Sequence, residues 1–310
     1  MTDLSMISSF YMEHADSVSP EKEVIGKLFI VATPIGNMED ITLRALRVLS
    51  EVDLIAAEDT RHTGKLLKHH KIDAHLISCH EHNEQKRSDE LIDQLKRGQN
   101  IALVSNAGTP SVSDPGYRLI HKSISEGIEV VPIPGVSAAI AALSVSGLPT
   151  DSFIFIGFAP RKHGKRQTLF HSLSKEIRTL IFYESPRRLL NLVEDLLINL
   201  GERRAVLARE ITKLHEEFIR GNLSQIRNHI KLKEEIKGEC TLIVEGLTCE
   251  IQISEDDIQQ EICHAMDQPG EKLSGVVKKI AQHYGISRKR VYDIALKLAK
   301  IKKQTKDIFH

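Results

Sequence analysis

The chain has no tryptophan, few aromatic residues (5%) and only four cysteines among 310 residues. Cys79, Cys240, Cys249 and Cys263 are widely spaced and form no C-x-x-C, so the pattern indicates neither a disulfide framework nor a structural zinc site. They read as reduced thiols of a cytosolic protein. A net charge is also missing: Lys+Arg and Asp+Glu each number 42, so the overall balance points to no partner. The longest uncharged run, residues 130–150, is broken by Pro132, Pro134 and Pro149, and reads as a strand end, a turn and a short helix of a soluble fold. The opening MTDLSMISSFYMEHADS has early acids and no basic stretch before an apolar one, so no signal peptide is expected. Three signatures are absent. There is no G-x-x-x-x-G-K-[ST], no G-x-G-x-x-G after the first strand and no G-x-S-x-G. Their absence argues against a P-loop, a Rossmann dinucleotide site and a hydrolase elbow.

What is present is ordinary globular composition, 41% hydrophobic and 27% charged, in a chain long enough for about two domains. Residues 1–25 lack sustained periodicity and read as a flexible N-terminal extension. From Lys27 onward short apolar runs alternate with amphipathic stretches. LFIVAT, DLIAA, IALVS and the run from Ile128 to Ile133 read as strands, with helices over 42–49, 60–69, 84–97 and 115–126. A second cycle contains FIFIGF, TLIFY, RAVLA, EEFIRG and CTLIVEG as strands, with helices near 164–173 and 187–199. Continuous apolar strands alternating with helices predict an α/β fold of two lobes, 26–147 and 148–247, the first with a mostly parallel sheet covered on both faces. Residues 248–310 show no strand pattern and predict a helix-turn-helix-like module. Its charge is uneven: 248–270 holds six acids and no base, whereas 271–310 holds eleven bases against three acids. Arg288, Lys289 and Arg290 follow the N-cap Ser287, where a recognition helix meets nucleic acid.

Three turns that follow first-lobe strands are rich in small residues: Thr33–Asn37, Ser105–Pro110 and Pro132–Ala138. A parallel sheet gathers such turns at its carboxyl edge, where small side chains let backbone groups approach an adenosine closely. Glu58, Asp59, Arg61 and His62 follow another strand and suit activation of a hydroxyl, or simply a capped helix start. Ser78 to Glu84 contains His80, but no second pair stands at zinc spacing, so a polar loop is the preferred reading and no metal is expected. In the second lobe Arg161, Lys162 and Lys165, and Arg187 and Arg188, follow strands and suit phosphate contact or plain solvation.

The stretches LFIVATPIGNMEDITLRAL, AEDTRHTGKLL, SNAGTPSVSDPGYRLI, PIPGVSAAIAAL, IFYESPRRL and LAREITKLHEEFIRG together resemble the bacterial small-subunit ribosomal RNA methyltransferase I family of the tetrapyrrole methylase superfamily. The resemblance spans about Lys27 to Gly246. It implies two α/β lobes with S-adenosyl-L-methionine in the cleft between them, a homodimer, and methylation of the ribose 2′-hydroxyl of a decoding-centre cytidine in 16S rRNA of the small ribosomal subunit. By motif, Pro34, Ile35, Gly36, Asn106, Ala107, Gly108, Thr109, Pro110, Pro134, Gly135, Ser137 and Tyr183 would hold the cofactor. Glu58, Asp59, Arg61 and His80 are the catalytic candidates of the first lobe, with Arg209 and Lys213 facing them. Arg161, Lys162, Lys165, Arg187, Arg188, Arg288, Lys289 and Arg290 would bind RNA. The family usually has Asp where this chain has Asn106. Methylation of a tetrapyrrole carbon and a ligand-sensing nucleic-acid-binding regulator are the competing readings.

Overall fold

The structure is a computed structural model that describes residues 25–233, 235–248, 255–266, 273–284 and 286–308. The expected extension before Ile25, Cys249, the Pro269-Gly270 break and Gly285 lie outside them. The chain divides into two units, Met1–Leu247 and Thr248–His310. Among the described residues, no helix is long and apolar enough to cross a membrane.

The first lobe runs β1 (Leu28–Val31), α1 (Leu43–Glu51), β2 (Leu54–Ala57), α2 (Thr60–His69), β3 (Leu76–Ser78), α3 (Glu84–Lys96), β4 (Ile101–Val104), α4 (Tyr117–Ser125), β5 (Val130–Ile133) and α5 (Ala138–Ser144). Its strands lie in the order β3-β2-β4-β1-β5, every pair parallel. Every residue of β2 and β4 is buried, which is why these strands read as unbroken apolar runs. Alternation sends Leu54 and Ala56 into one core with Leu91, Leu95 and Leu119, and Ile55 and Ala57 into another with Leu49 and Leu67. Each such buried Leu or Ile side chain contributes about 1.5–3 kcal/mol. The connections after the neighbours β1 and β4 run in opposite directions across the sheet, and this reversal opens a crevice at their carboxyl ends.

The second lobe runs β6 (Phe153–Phe158), α6 (His163–Ser172), β7 (Thr179–Glu184), α7 (Pro186–Leu200), β8 (Arg204–Arg209), β9 (Glu217–Asn222), α8 (Leu223–Leu232) and β10 (Cys240–Val244). The order is β6-β7-β10-β8-β9, and only β6 and β7 pair in parallel. The all-parallel order of the first sheet is therefore not repeated here. The loop between β8 and β9 is too short for a crossover and makes a hairpin, which is antiparallel by geometry. The sequence reading also passed over the three-residue edge strand β3, and over α8, whose start carries a capping box of Asn222 and Gln225. One face of this sheet is covered by side chains of its own helices, among them Phe170, Leu189, Leu192 and Ile226. The other meets α5: Ala139, Ala142 and Leu143 pack with Ile181, Val206 and Ile243, so the two lobes share a core.

The second unit contains α9 (Glu255–Met266), α10 (Leu273–Tyr284) and α11 (Arg288–Ile308). Ile258, Ile262, Val276, Val277, Ile280, Val291 and Ile294 form its own core. The Ser287 hydroxyl accepts the Arg290 N–H at 3.3 Å, as an N-cap does.

Candidate functional site

A cavity of about 410 Å³ lies where the first-lobe turns meet the second sheet, within the size range of small-molecule sites. From the first lobe come Ile35, Glu58, the stretch from Asn106 to Thr109, Val112, Ser113, Asp114, Ser137 and Ala138. The second lobe contributes Phe158, Tyr183 to Pro186, Ile211 and the stretch from Gly238 to Thr241.

The turns after β1 and β4 are tied to each other. Thr33 and Gly108 exchange backbone hydrogen bonds of 2.9 Å in both directions, and the Thr33 hydroxyl donates to Ser105 O at 3.2 Å. Gly108 has φ +78°, a conformation that favours glycine. Beside it, Asn106 N–H donates to Glu58 Oε2 at 3.0 Å, whereas Asn106 Oδ1 is buried without a partner. An orphaned buried acceptor on a cavity wall is a position for a ligand donor, because leaving it unpaired is costly.

Ties also cross between the lobes. The Tyr183 hydroxyl accepts the Ala139 N–H at 3.0 Å, so a second-lobe strand caps the start of α5. Asn37 N–H donates to Thr212 Oγ1 at 3.0 Å. A Cβ on Gly36 would stand 2.5 Å from Lys213 Cγ and 2.7 Å from Thr212 Oγ1. Gly36 thus admits the loop 210–216 of the second lobe, in which Glu210 and Thr212 take positive φ. Gly157 plays the matching part on β6, where a Cβ would meet Ser113 Oγ at 2.7 Å.

Of the residues expected to hold a cofactor, Ile35, Asn106, Ala107, Gly108, Thr109, Ser137 and Tyr183 line the cavity. Pro34 and Pro110 are buried beside it, Pro134 and Gly135 are exposed, and Gly36 faces the 210–216 loop. The catalytic candidates separate. Glu58 lines the cavity. Asp59 caps α2 by accepting Arg61 N–H at 2.9 Å and pairs with the exposed Arg61 guanidinium. That hydrogen-bonded Arg61 holds its carboxyl down at about 2. His80 follows the edge strand β3 and is not part of the cavity wall; its N–H donates to Asn83 Oδ1 at 2.8 Å. Lys213 Nζ donates to Glu210 at 2.8 Å and to Glu239, on the cavity wall, at 3.0 Å. Burial opposes its charge, but these two carboxylates hold the ammonium above the usual lysine value. Arg209 pairs with Glu217 at 3.0 Å and donates to Lys237 O, within the second lobe.

Arg161 and Lys162 on the loop beyond β6, Lys165 on the first turn of α6 and Arg187 on the first turn of α7 are exposed, close in sequence to Phe158, Ser185 and Pro186 of the cavity rim. Arg188 points inward, donating to Ala159 O at 2.7 Å and pairing with the buried Glu184 at 3.1 Å. Arg288, Lys289 and Arg290 are exposed on the first turn of α11. Among the described residues, no group of three or more His, Cys, Asp or Glu is placed to hold a metal.

Sequence reasoning missed Asp114 and the stretch from Gly238 to Thr241. Asp114 stands in a Ser-Asp-Pro-Gly turn that reads as loop punctuation. The stretch before β10 carries no motif, and only the antiparallel entry of β10 between β7 and β8 brings it to the cavity. Burial, then the nearby Glu58 charge, pushes the Asp114 carboxyl up to about 6. Burial likewise pushes the Cys240 thiol on the wall up to about 11, which makes it a poor nucleophile.

A family model described as tetrapyrrole (corrin/porphyrin) methylases matches residues 27–227. The chain is 46% identical over 274 residues to the ribosomal RNA small subunit methyltransferase I of Halalkalibacterium halodurans, covering 87% of this chain and 94% of that protein. It is 47% identical over 277 residues to the protein of the same name from Synechocystis sp., covering 88% and 99%. Among solved structures, the uroporphyrin-III C-methyltransferase of Thermus thermophilus in complex with S-adenosyl homocysteine matches with a TM-score of 0.52 at 17% identity. That match covers 71% of this chain and 97% of the other, and at this identity it is a likeness of fold.

Proposed function

The chain belongs to the tetrapyrrole methylase family, and within it we propose an S-adenosylmethionine-dependent methyltransferase of small-subunit ribosomal RNA that acts on the ribose 2′-hydroxyl of a decoding-centre cytidine. The observation that carries the substrate is identity of 46–47% running through 87–88% of the chain to proteins named for methylating that RNA. The ribose position, the 16S rRNA within the subunit and a working homodimer follow from the motif resemblance.

The cavity fits the methyl donor. Small residues from Asn106 to Thr109, together with Ile35 and Ser137, suit the close approach of a nucleoside. The orphaned Asn106 Oδ1 would accept one of its N–H or O–H donors. Carboxylates on the wall, Glu58 and Asp114 among them, favour a cation there. When bound, S-adenosylmethionine supplies a methyl carbon on a positively charged sulfur. The protein's part is to hold a ribose oxygen in line with that carbon and to exclude water, and such positioning accounts for much of a transfer rate. Arg161, Lys162, Lys165 and Arg187 at the rim would hold the RNA backbone around a splayed nucleotide, and the exposed cations that open α11 would give the second unit phosphate contacts of its own.

The test is methyl transfer from labelled S-adenosylmethionine to small ribosomal subunits from a strain that lacks this modification, with the product nucleoside identified by mass. A 2′-O-methylcytidine is expected. Cofactor binding without labelling of subunits or naked rRNA would remove the RNA assignment and favour a small-molecule acceptor such as a tetrapyrrole.

A further inference from the structure

The core of the second unit is complete without the aromatic residue of α11. Val291, Ile294 and Ala295 of that helix are buried against Ile258, Ile262, Val276, Val277, Ile280 and Ala281. They stand at i, i+3 and i+4, which is one helical face. Tyr292 stands off that face and is 46% exposed, and Leu296, one turn further on, is 40% exposed. A single exposed apolar residue needs no account. Two at i and i+4 make a continuous patch, on a helix whose other exposed residues up to Lys297 are all charged. Helix propensity does not account for the tyrosine either, since Lys or Arg forms a better surface helix.

The helix sets cations around the ring. Arg288 precedes Tyr292 by four residues and Lys289 by three, so they stand about 40° and 60° from it around the helix axis. Both are exposed. The capping bond from Arg290 N–H to the Ser287 hydroxyl, 3.3 Å, fixes the turn that carries them. Arg290 and Lys297 lie on another flank, where Lys297 approaches Glu255 of α9 at 4.0 Å. Asp293 is the one acid from Arg288 to Leu298, and it lies beyond Lys289 as seen from the ring. Cations beside an exposed aromatic face are what single-stranded nucleic acid needs, charge for its backbone and a π face for a base. A duplex fits this surface less well. The major groove of A-form RNA is too deep and narrow for side chains to read, so α11 cannot enter it as a recognition helix enters DNA.

We propose that Tyr292 is a stacking platform for an unpaired base of the RNA, with Arg288 and Lys289 holding the adjacent phosphates and Leu296 extending the apolar surface. This rests on the RNA substrate put forward above and deepens it: the second unit selects a single strand over a duplex, because only an unpaired base offers its face to the ring. Charge alone makes no such distinction, since phosphates line both forms. The excess of cations, eleven Lys and Arg against three acids in residues 271–310, favours a polyanion over a protein partner at the same patch.

The experiment uses the full-length protein and two probes, a single-stranded fragment of small-subunit rRNA and the same fragment annealed to its complement. The native chain has no tryptophan, so Tyr292→Trp places a lone indole at the site. Its emission is expected to be quenched by the single strand, through stacking, and to stay unchanged with the duplex. In filter binding, Tyr292→Ala should weaken the single strand by about 5–150-fold, the equivalent of about 1–3 kcal/mol for one stacked base. Tyr292→Phe should keep the wild-type affinity, whereas Tyr292→Leu should fail as alanine does, because the ring face is used and not its apolar bulk. The slope of log affinity against log salt should be the same in all of them, since no phosphate contact is removed. S-adenosylmethionine binding and thermal unfolding should stay at wild-type values, because Tyr292 is part of neither the cavity wall nor the core. Wild-type affinity in Tyr292→Ala, full rescue by leucine or unquenched emission would overturn the platform. Equal losses for strand and duplex would overturn it too. Normal binding of naked RNA with lost binding of whole small subunits would give the patch to a ribosomal protein, which also overturns it. Wild-type protein that binds neither probe, yet still takes S-adenosylmethionine, overturns the RNA reading and the platform with it.

Discussion

Asp114 carries an electrostatic cost with a definite sign. Its folded carboxyl sits at about 6 against 3.8 for a free one. Between those values the folded state binds more protons than the unfolded state, so stability falls as pH rises through the window. Asp114→Asn removes the penalty. We expect it to raise unfolding stability by about 1 kcal/mol near pH 8, after allowance for solvent in the cavity, and to change nothing near pH 4. Urea midpoints at the two pH values check this. Glu58 and Asp59 are adjacent in sequence and were read there as one polar cluster, but the chain turns between them. Glu58 faces the cavity at the end of β2, whereas Asp59 starts α2 and belongs to Arg61. Asn106 uses its backbone N–H on Glu58, a contact that aspartate would keep, so what asparagine changes is the charge beside Glu58 and Asp114.

At the scale of elements, the loops that shape the cavity depend on partners far away in sequence. Glu84 opens α3 yet its buried carboxylate satisfies two N–H groups at the start of α4, 32 and 34 residues on. Glu84→Ala should leave these donors unpaired and cost about 1–3 kcal/mol. Thermal unfolding would read the loss, with faster amide exchange in residues 109–116. The strands and most helices were legible because burial on both faces leaves apolar runs, and the helices keep a 3.6 period. β3 was not, since three residues cannot show a period, and α8 was hidden behind β9, whose last residue Asn222 is also its cap. The antiparallel second sheet escaped reading because a buried strand has the same composition in either direction.

For the molecule as a whole, the cations expected to meet RNA fall, among the described residues, in two groups: Arg161, Lys162, Lys165 and Arg187 just beyond β6 and β7, and Arg288, Lys289 and Arg290 at the start of α11. Binding to RNA through such groups is salt-dependent in proportion to the phosphates they neutralise. Replacing Arg288, Lys289 and Arg290 together by alanine should lower the slope of log affinity against log salt by about 2, at roughly 0.7 for each phosphate contact. S-adenosylmethionine binding should be unaffected, because the cavity is built within residues 35–241. Filter binding of an rRNA fragment at several salt concentrations, beside calorimetry of the cofactor, checks both halves.

The sequence by itself determined the class of fold, the turns that line the first-lobe side of the cavity and the likeness to RNA methyltransferases. Each of these is local: strand composition, turn chemistry and motif order survive without knowledge of neighbours. Tertiary structure decided the rest. It separated Glu58 from Asp59, turned Arg188 inward, and set Gly36 against the 210–216 loop. It also brought Asp114 within the field of Glu58 and Glu239, residues that stand 56 positions before it and 125 after it. Burial and charge at a site are sums over neighbours in space, and only the folded chain fixes which neighbours those are.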